Sequence, residues 1–175
     1  MPRYTTPDNT MDTIDSRDVI ARIDDLTNEK QSSELAVEDA LDALKKAEAA
    51  LLACDDPEDS GERQRLAEEV EECEEVKEEA DDKLKDWIEE GNQGELEMLE
   101  ELQGEAEGYA SDWHHGVTLV RDSYWTQYCQ ELLDDCGDVP KDLPSYIVID
   151  WGRTADNLQA DYTSVDFAGV TYWVR

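Results

Sequence analysis

The sequence predicts an α+β protein that is mostly α: an acidic antiparallel helical hairpin of coiled-coil character, joined to a small domain of helix and β-hairpin. Three observations carry that prediction. Apolar residues in the first half recur at alternating steps of four and three, the spacing of a coiled-coil seam. Charge and aromatic content divide in opposite senses. Residues 1–107 hold 36 acids and 11 bases, residues 108–175 hold 11 acids and 4 bases, and eleven of the thirteen aromatics lie at or after residue 109. Near the C-terminal end, two runs of alternating apolar residues flank a glycine, the pattern of a hairpin. The shift in composition sets two expected domains: 1–107, the acidic hairpin with a short third helix, and 108–175, the aromatic-rich α+β part.

The first seam runs Val19, Ile23, Leu26, Lys30, Ser33, Val37, Ala40, Leu44, Ala47 and Leu51, with Lys30 and Ser33 as a polar interruption. A second runs Leu66, Val70, Cys73, Lys77, Ala80, Leu84 and Trp87. Between them Asp55-Asp56-Pro57-Glu58-Asp59-Ser60-Gly61 supplies helix breakers, so two antiparallel arms follow. Alanine at several seam positions makes the contacts small, which favours pairing with a second copy, a homodimer. Gly91 and Gly94 are expected to bracket a break before a third helix spaced by Leu96, Leu99, Leu102 and Ala106.

Asp122 to Cys136 reads as a helix ended by Gly137, with Tyr124, Tyr128, Leu132 and Cys136 on one stripe and Trp125, Cys129 and Leu133 beside it. Pro140 and Pro144 delimit a loop before the apolar run Tyr146-Ile147-Val148-Ile149. Asp150 is placed to cap a helix through about Asp161. Gly169 suits the turn of a hairpin in which Val165 and Phe167 face Val170, Tyr172 and Val174. Trp151, Phe167, Tyr172 and Trp173 are expected to pack the core of this part.

The net charge of −32 excludes direct binding to nucleic acid or to an anionic membrane surface, both polyanions, and leaves a basic partner. No run of 18 apolar residues and no signal-type apolar stretch occurs, so a cytoplasmic protein without a membrane span is expected. Cys54, Cys73, Cys129 and Cys136 show no CxxC pairing and suit reduced thiols.

The acids are densest from Leu66 to Glu90, with 13 acids against 3 bases. At helical rise that stretch is ~37 Å long, about one net charge per 3.7 Å, close to the ~3.4 Å between phosphates of one DNA strand. Glu68, Glu69, Glu71, Glu72, Glu74, Glu75, Glu78, Glu79, Asp81 and Asp82 all avoid the seam and form the candidate partner-binding set. Ordinary solvated helices offset Glu with Lys or Arg at i+4. Here only Glu79–Lys83 and Asp81–Lys85 have that register, whereas Glu68–Glu72, Glu71–Glu75, Glu74–Glu78 and Glu75–Glu79 set like charges together. The other arm, from Arg17 to Ala53, carries 9 acids and 5 bases, nearer an ordinary surface.

Other chemistry is poorly supported. His114-His115 beside Trp113 forms an aromatic corner expected to be partly exposed. Cys129 and Cys136 are two helical turns apart, too far to chelate one zinc ion together. Asp56 to Gly61 is faintly like a calcium loop but has Ala67 where a bidentate Glu is required. Metal and cofactor sites are therefore not expected. Without a Gly-rich phosphate loop, GxSxG or HExxH, an enzyme is not expected either.

The stretch YIVIDWGRTADNLQADYTSVDFAGVTYWVR (146–175), with GVTLVRDSYWTQYCQELLDD (116–135), resembles the C-terminal part of ArdA-type antirestriction proteins and related phage and mobile-element proteins. The likeness rests on Ala155 and Leu158 in a helix, the following Asp161-Tyr162, and a short hairpin ending in an aromatic-rich strand. It implies an acidic DNA mimic that occupies the DNA groove of a host restriction enzyme. Together with the charge row, it gives the functional expectation: inhibition of a host defence enzyme, a restriction or CRISPR effector, by competition for its basic DNA-binding groove. The alternative is a structural or adaptor coiled-coil protein whose acids only solvate its surface.

Overall fold

The computed structural model describes residues 4–55, 61–140, 142, 144 and 146–175. It is mostly helical with one four-stranded antiparallel sheet, as the α+β expectation requires. The elements in chain order are β1 (Thr13–Asp15), α1 (Ser16–Leu52), α2 (Gly61–Glu89), α3 (Asn92–Glu107), α4 (Trp113–Gly116), β2 (Thr118–Arg121), α5 (Trp125–Cys136), α6 (Trp151–Leu158), β3 (Thr163–Phe167) and β4 (Val170–Val174). The chain forms two compact units, one of residues 1–24 with 97–175 and one of residues 25–96. This corrects the division at residue 107. β1 pairs with β2, and the last two turns of α3 carry the fully buried Leu99, Leu102 and Ala106, so both ends of the acidic region belong to the aromatic unit.

In the unit of residues 25–96 the seam is as the heptads place it. On α1 the positions shielded from water include Leu26, Lys30, Ser33, Val37, Ala40, Leu44, Ala47 and Leu51; on α2 they include Leu66, Val70, Cys73, Lys77, Ala80, Leu84 and Trp87. The arms run antiparallel: Trp87 Nε1 donates to Glu29 Oε2 (3.2 Å) at one end, and an Arg63 guanidinium nitrogen donates to the Cys54 carbonyl (3.0 Å) at the other. Among the described residues, the fully enclosed apolar side chains of this unit are few and small, with Leu26, Leu96 and Trp87 as the large ones beside Ala40, Ala47 and Ala80. Gly91, at φ +88°, makes the turn out of α2, a conformation that a Cβ would strain. Gly94 lies inside α3 and breaks nothing, because Gly91 at positive φ already separates α2 from α3.

The other unit is built on the sheet, in spatial order β1-β2-β4-β3. Pleating sends Ile14, Leu119, Tyr172, Val174, Val165 and Phe167 to one face, all of them buried. Glu105 on α3 accepts from the Asp166 N–H (3.3 Å), which seats that helix beside the edge strand β3. On the opposite face Val120 and Trp173 meet Trp125, Cys129, Ala155, Leu158 and Tyr162 from α5, α6 and the turn that follows. Trp125 is central: its ring lies 4.7 Å from Tyr162 edge-on, and its N–H donates to the Ala155 carbonyl (3.0 Å). Buried Ser16 joins the start of α1 to α4, donating to the Trp113 carbonyl (2.6 Å) and accepting from the Val117 N–H (2.8 Å).

Several sequence-level expectations for this unit hold. Gly137 closes α5 in the left-handed conformation, though the first turn from Asp122 to Tyr124 is 3-10 and the α-helix starts at Trp125. Asp150 caps α6 by accepting from Arg153 N–H (3.1 Å). The hairpin register pairs Val165 with Tyr172 and Phe167 with Val170, and Ala168 and Gly169 both take positive φ, as a two-residue primed turn demands. Trp113 departs from expectation. It is fully buried, because the four-residue α4 turns its indole inward while His114 and His115 stay exposed.

Candidate partner-binding face

All ten candidate carboxylates lie on α2, and every one except half-buried Asp81 is solvent-exposed. The reason is the heptad. Seam residues occupy every third or fourth position, so Glu68, Glu69, Glu71, Glu72, Glu74, Glu75, Glu78, Glu79 and Asp82 fall between them, on the flanks and outer side of α2. Only two of the ten meet a cation among the described residues. Glu79 is bound by Lys83 (2.8 Å), whose hydrogen bond holds that carboxyl below its ordinary pKa. Asp81 is bound by Lys77 (2.5 Å).

The second of those pairs corrects the expected Asp81–Lys85 contact. Lys77 occupies a seam position, so its ammonium must leave the apolar interface, and the nearest carboxylate one turn on is Asp81. Lys85 reaches forward to Glu89 (3.6 Å) instead. Glu68, Glu69, Glu71, Glu72, Glu74, Glu75, Glu78 and Asp82 are left as eight carboxylates without a cation among the described residues, over a span of fifteen helical residues. On α1 Lys45 pairs with Asp42 (3.2 Å), and Glu34, Glu38, Asp39 and Glu48 likewise meet no cation among the described residues. Such a surface can accept hydrogen bonds from Lys and Arg side chains.

Sequence reasoning overlooked the groove between the two arms at their Trp87 end. Asn28, Glu29, Ser32 and Ser33 of α1 line it opposite Lys83, Asp86, Trp87 and Glu90. The signal was available: Glu29 and Trp87 sit on matching sides of the two seams, and an indole N–H near a hairpin end needs an acceptor.

No group of three or more His, Cys, Asp or Glu is positioned to hold a metal ion among the described residues. His114 Nε2 contacts Glu107 (3.1 Å), Cys129 is enclosed in the aromatic cluster with its thiol pushed up by burial, and Cys136 is exposed. The calcium-like segment Asp56 to Ser60 lies outside the described residues. Among the described residues no helix is long and apolar enough to cross a membrane. Comparison with known proteins adds no assignment: no family model, curated protein or solved structure matches the chain.

Proposed function

We propose that the protein inhibits a nucleic-acid-binding host-defence enzyme, a restriction or CRISPR effector, by presenting α2 to its DNA-binding groove as a stand-in for a phosphate row. The observation that carries this reading is the set of eight exposed carboxylates on α2 that meet no cation among the described residues. A helix selected only for stability would place Lys or Arg one turn from each Glu, gaining roughly 0.2–0.5 kcal/mol per pair; α2 sets like charges together and loses similar amounts. The resemblance of the C-terminal stretch to ArdA-type proteins points the same way. Binding needs no catalysis. Lys and Arg of the groove exchange phosphate for carboxylate, and release of counterions from both surfaces contributes to the free energy.

The test is recovery and competition. A nuclease captured from host lysate at low salt and lost at high salt should be displaced by duplex DNA, since exposed charges are screened beyond ~8–10 Å at 0.1–0.15 M. The decisive variant converts Glu68, Glu71, Glu72, Glu75 and Glu78 to Gln, leaving the Glu79–Lys83 pair intact. Gln keeps the length and nearly the helix propensity of Glu. Inhibition should weaken while the fold persists; a variant that stays a full inhibitor at physiological salt would overturn DNA mimicry and favour an adaptor with a solvated surface.

A further inference from the structure

One end of the sheet borders a small polar cavity of about 230 Å³, lined by Thr118, Tyr162 and Arg175 and flanked by Tyr128 of α5 and Asp112 ahead of α4. The strand register explains why these residues meet. β2 and β4 pair Val120 with Trp173 and Arg121 with Tyr172, and β3 and β4 pair Thr163 with Val174, so one residue beyond β4 the register sets Arg175 between Thr118 and Tyr162. Alternation along the strands puts these three on the face that Val120 and Trp173 share, the one covered by α5 and α6.

Two opposite charges line this cavity, and the fold uses neither. The Arg175 guanidinium lies 5.2 Å from the centre of the Tyr162 ring, a cation–π distance, and meets no carboxylate among the described residues, although the chain carries 47 Asp and Glu. A guanidinium stacked on a ring keeps its in-plane N–H fork open, the geometry that takes a carboxylate through two hydrogen bonds. Asp112 stands at the N-cap of α4, yet its carboxylate makes no capping hydrogen bond and meets no cation among the described residues. No ion pair joins the two. Burial, and then the neighbouring Tyr128 phenol, push the Tyr162 hydroxyl up to about 12, so it stays protonated and able to donate. A simple anion here would satisfy Arg175 and be repelled by Asp112, and a simple cation would do the reverse. A molecule carrying both charges satisfies both.

We propose that this cavity binds a small zwitterion, a free α-amino acid, with the ligand carboxylate on Arg175 and its ammonium on Asp112. The site lies wholly in the sheet-bearing unit, goes beyond the inhibitor reading and does not depend on the carboxylates of α2. The test titrates the full, nitrogen-15-labelled chain with L-alanine and then with each of the other common L-amino acids, following the Thr118 amide and the Arg175 Nε–H by nuclear magnetic resonance. At least one amino acid should give saturable shifts at both groups. Its two analogues that keep a single charge, propionate and ethylammonium in the case of L-alanine, should bind at least tenfold more weakly. Arg175→Gln and Asp112→Asn, both at exposed positions, should each weaken binding tenfold or more while the amide signals of the sheet stay in place. The five-Gln variant of α2 should bind as the native chain does, which separates this site from the inhibitor reading. Saturable shifts with no amino acid, a single-charge analogue that binds as tightly as its parent, or full affinity in either the Arg175 or the Asp112 variant would each overturn the proposal.

Discussion

The two units solve opposite problems with the same chain. In the sheet-bearing unit Trp113, Trp125, Tyr172, Ile14 and Leu119 are enclosed; the Trp125 indole donates to the Ala155 carbonyl and the Tyr172 hydroxyl to that of Met11 (2.8 Å), while the buried Trp113 Nε1 has no partner among the described residues. In the hairpin unit the enclosed side chains are few, several are alanine, and the outer arc carries charge that works against folding. The difference teaches where the acids come from. On the inhibitor reading proposed above, the eight carboxylates of α2 that meet no cation among the described residues are kept for a partner, and they lie on the unit with fewer large enclosed side chains.

The largest expected effect breaks one unit and spares the other. Trp125→Ala should cost about 3–5 kcal/mol, the range for truncating a large buried aromatic. Near-ultraviolet circular dichroism of the sheet-bearing unit should collapse while the helical signal of the hairpin survives. Simultaneous loss of both signals in one transition would show that the units do not fold independently.

Alkali should separate them next. Burial pushes the Tyr162 hydroxyl up to about 12 and raises Tyr172 and Cys129, all in the sheet-bearing unit; residues 25–96 contain no tyrosine. A folded pKa above the unfolded value means stability that is complete below pH 10 and lost as pH rises through the folded value. Tyr162 alone accounts for about 1–2 kcal/mol of that loss, with its partial exposure discounted. The sheet-bearing unit should therefore melt between pH 10 and 12, followed by tyrosinate absorbance, before fluorescence from Trp87 changes. Tyr162→Phe should push the transition to higher pH.

What could be read in the sequence follows from how local each feature is. The two seams, the Gly137 cap, the Asp150 cap and the Val165–Tyr172 hairpin depend on residues within a turn or two of one another, and each was legible. β1 and β2 were not. They are three and four residues long, and Ile14 pairs with Leu119 across more than a hundred residues, too short to alternate and too distant to infer. The same reason moved the domain boundary. On the candidate face the exposed carboxylates were legible because a seam defines its own opposite arc, whereas the partner of Asp81 depended on Lys77 having to leave the seam.

Salt should act on the hairpin in the reverse sense from its usual effect on ion pairs. On α2 four like-charge contacts and four ion pairs, each worth roughly 0.2–0.5 kcal/mol, nearly cancel, but the helix carries 13 acids against 5 bases, so screening of the remaining repulsion should make added salt stabilise the hairpin by less than about 1 kcal/mol. Thermal melts of the native chain and the five-Gln variant should converge as salt rises, because the variant has already lost those repulsions. Melts that stay equally far apart at every salt concentration would mean that the glutamates act on stability through packing, not charge.

The smallest effect concerns the polar interruption in the first seam. Ser33 faces α2 near Ala80 and Lys83, yet its hydroxyl donates to the Glu29 carbonyl of its own helix (3.0 Å). A hydroxyl bonded back to the preceding turn contributes little to the hairpin and slightly disfavours the helix. Ser33→Ala removes it without opening a large void, and the better helix propensity of alanine should raise stability by about 0.5 kcal/mol or less. A loss of stability of similar size would show that the hydroxyl bridges the two arms in solution, and the weak seam of this unit would then owe part of its cohesion to polar contacts.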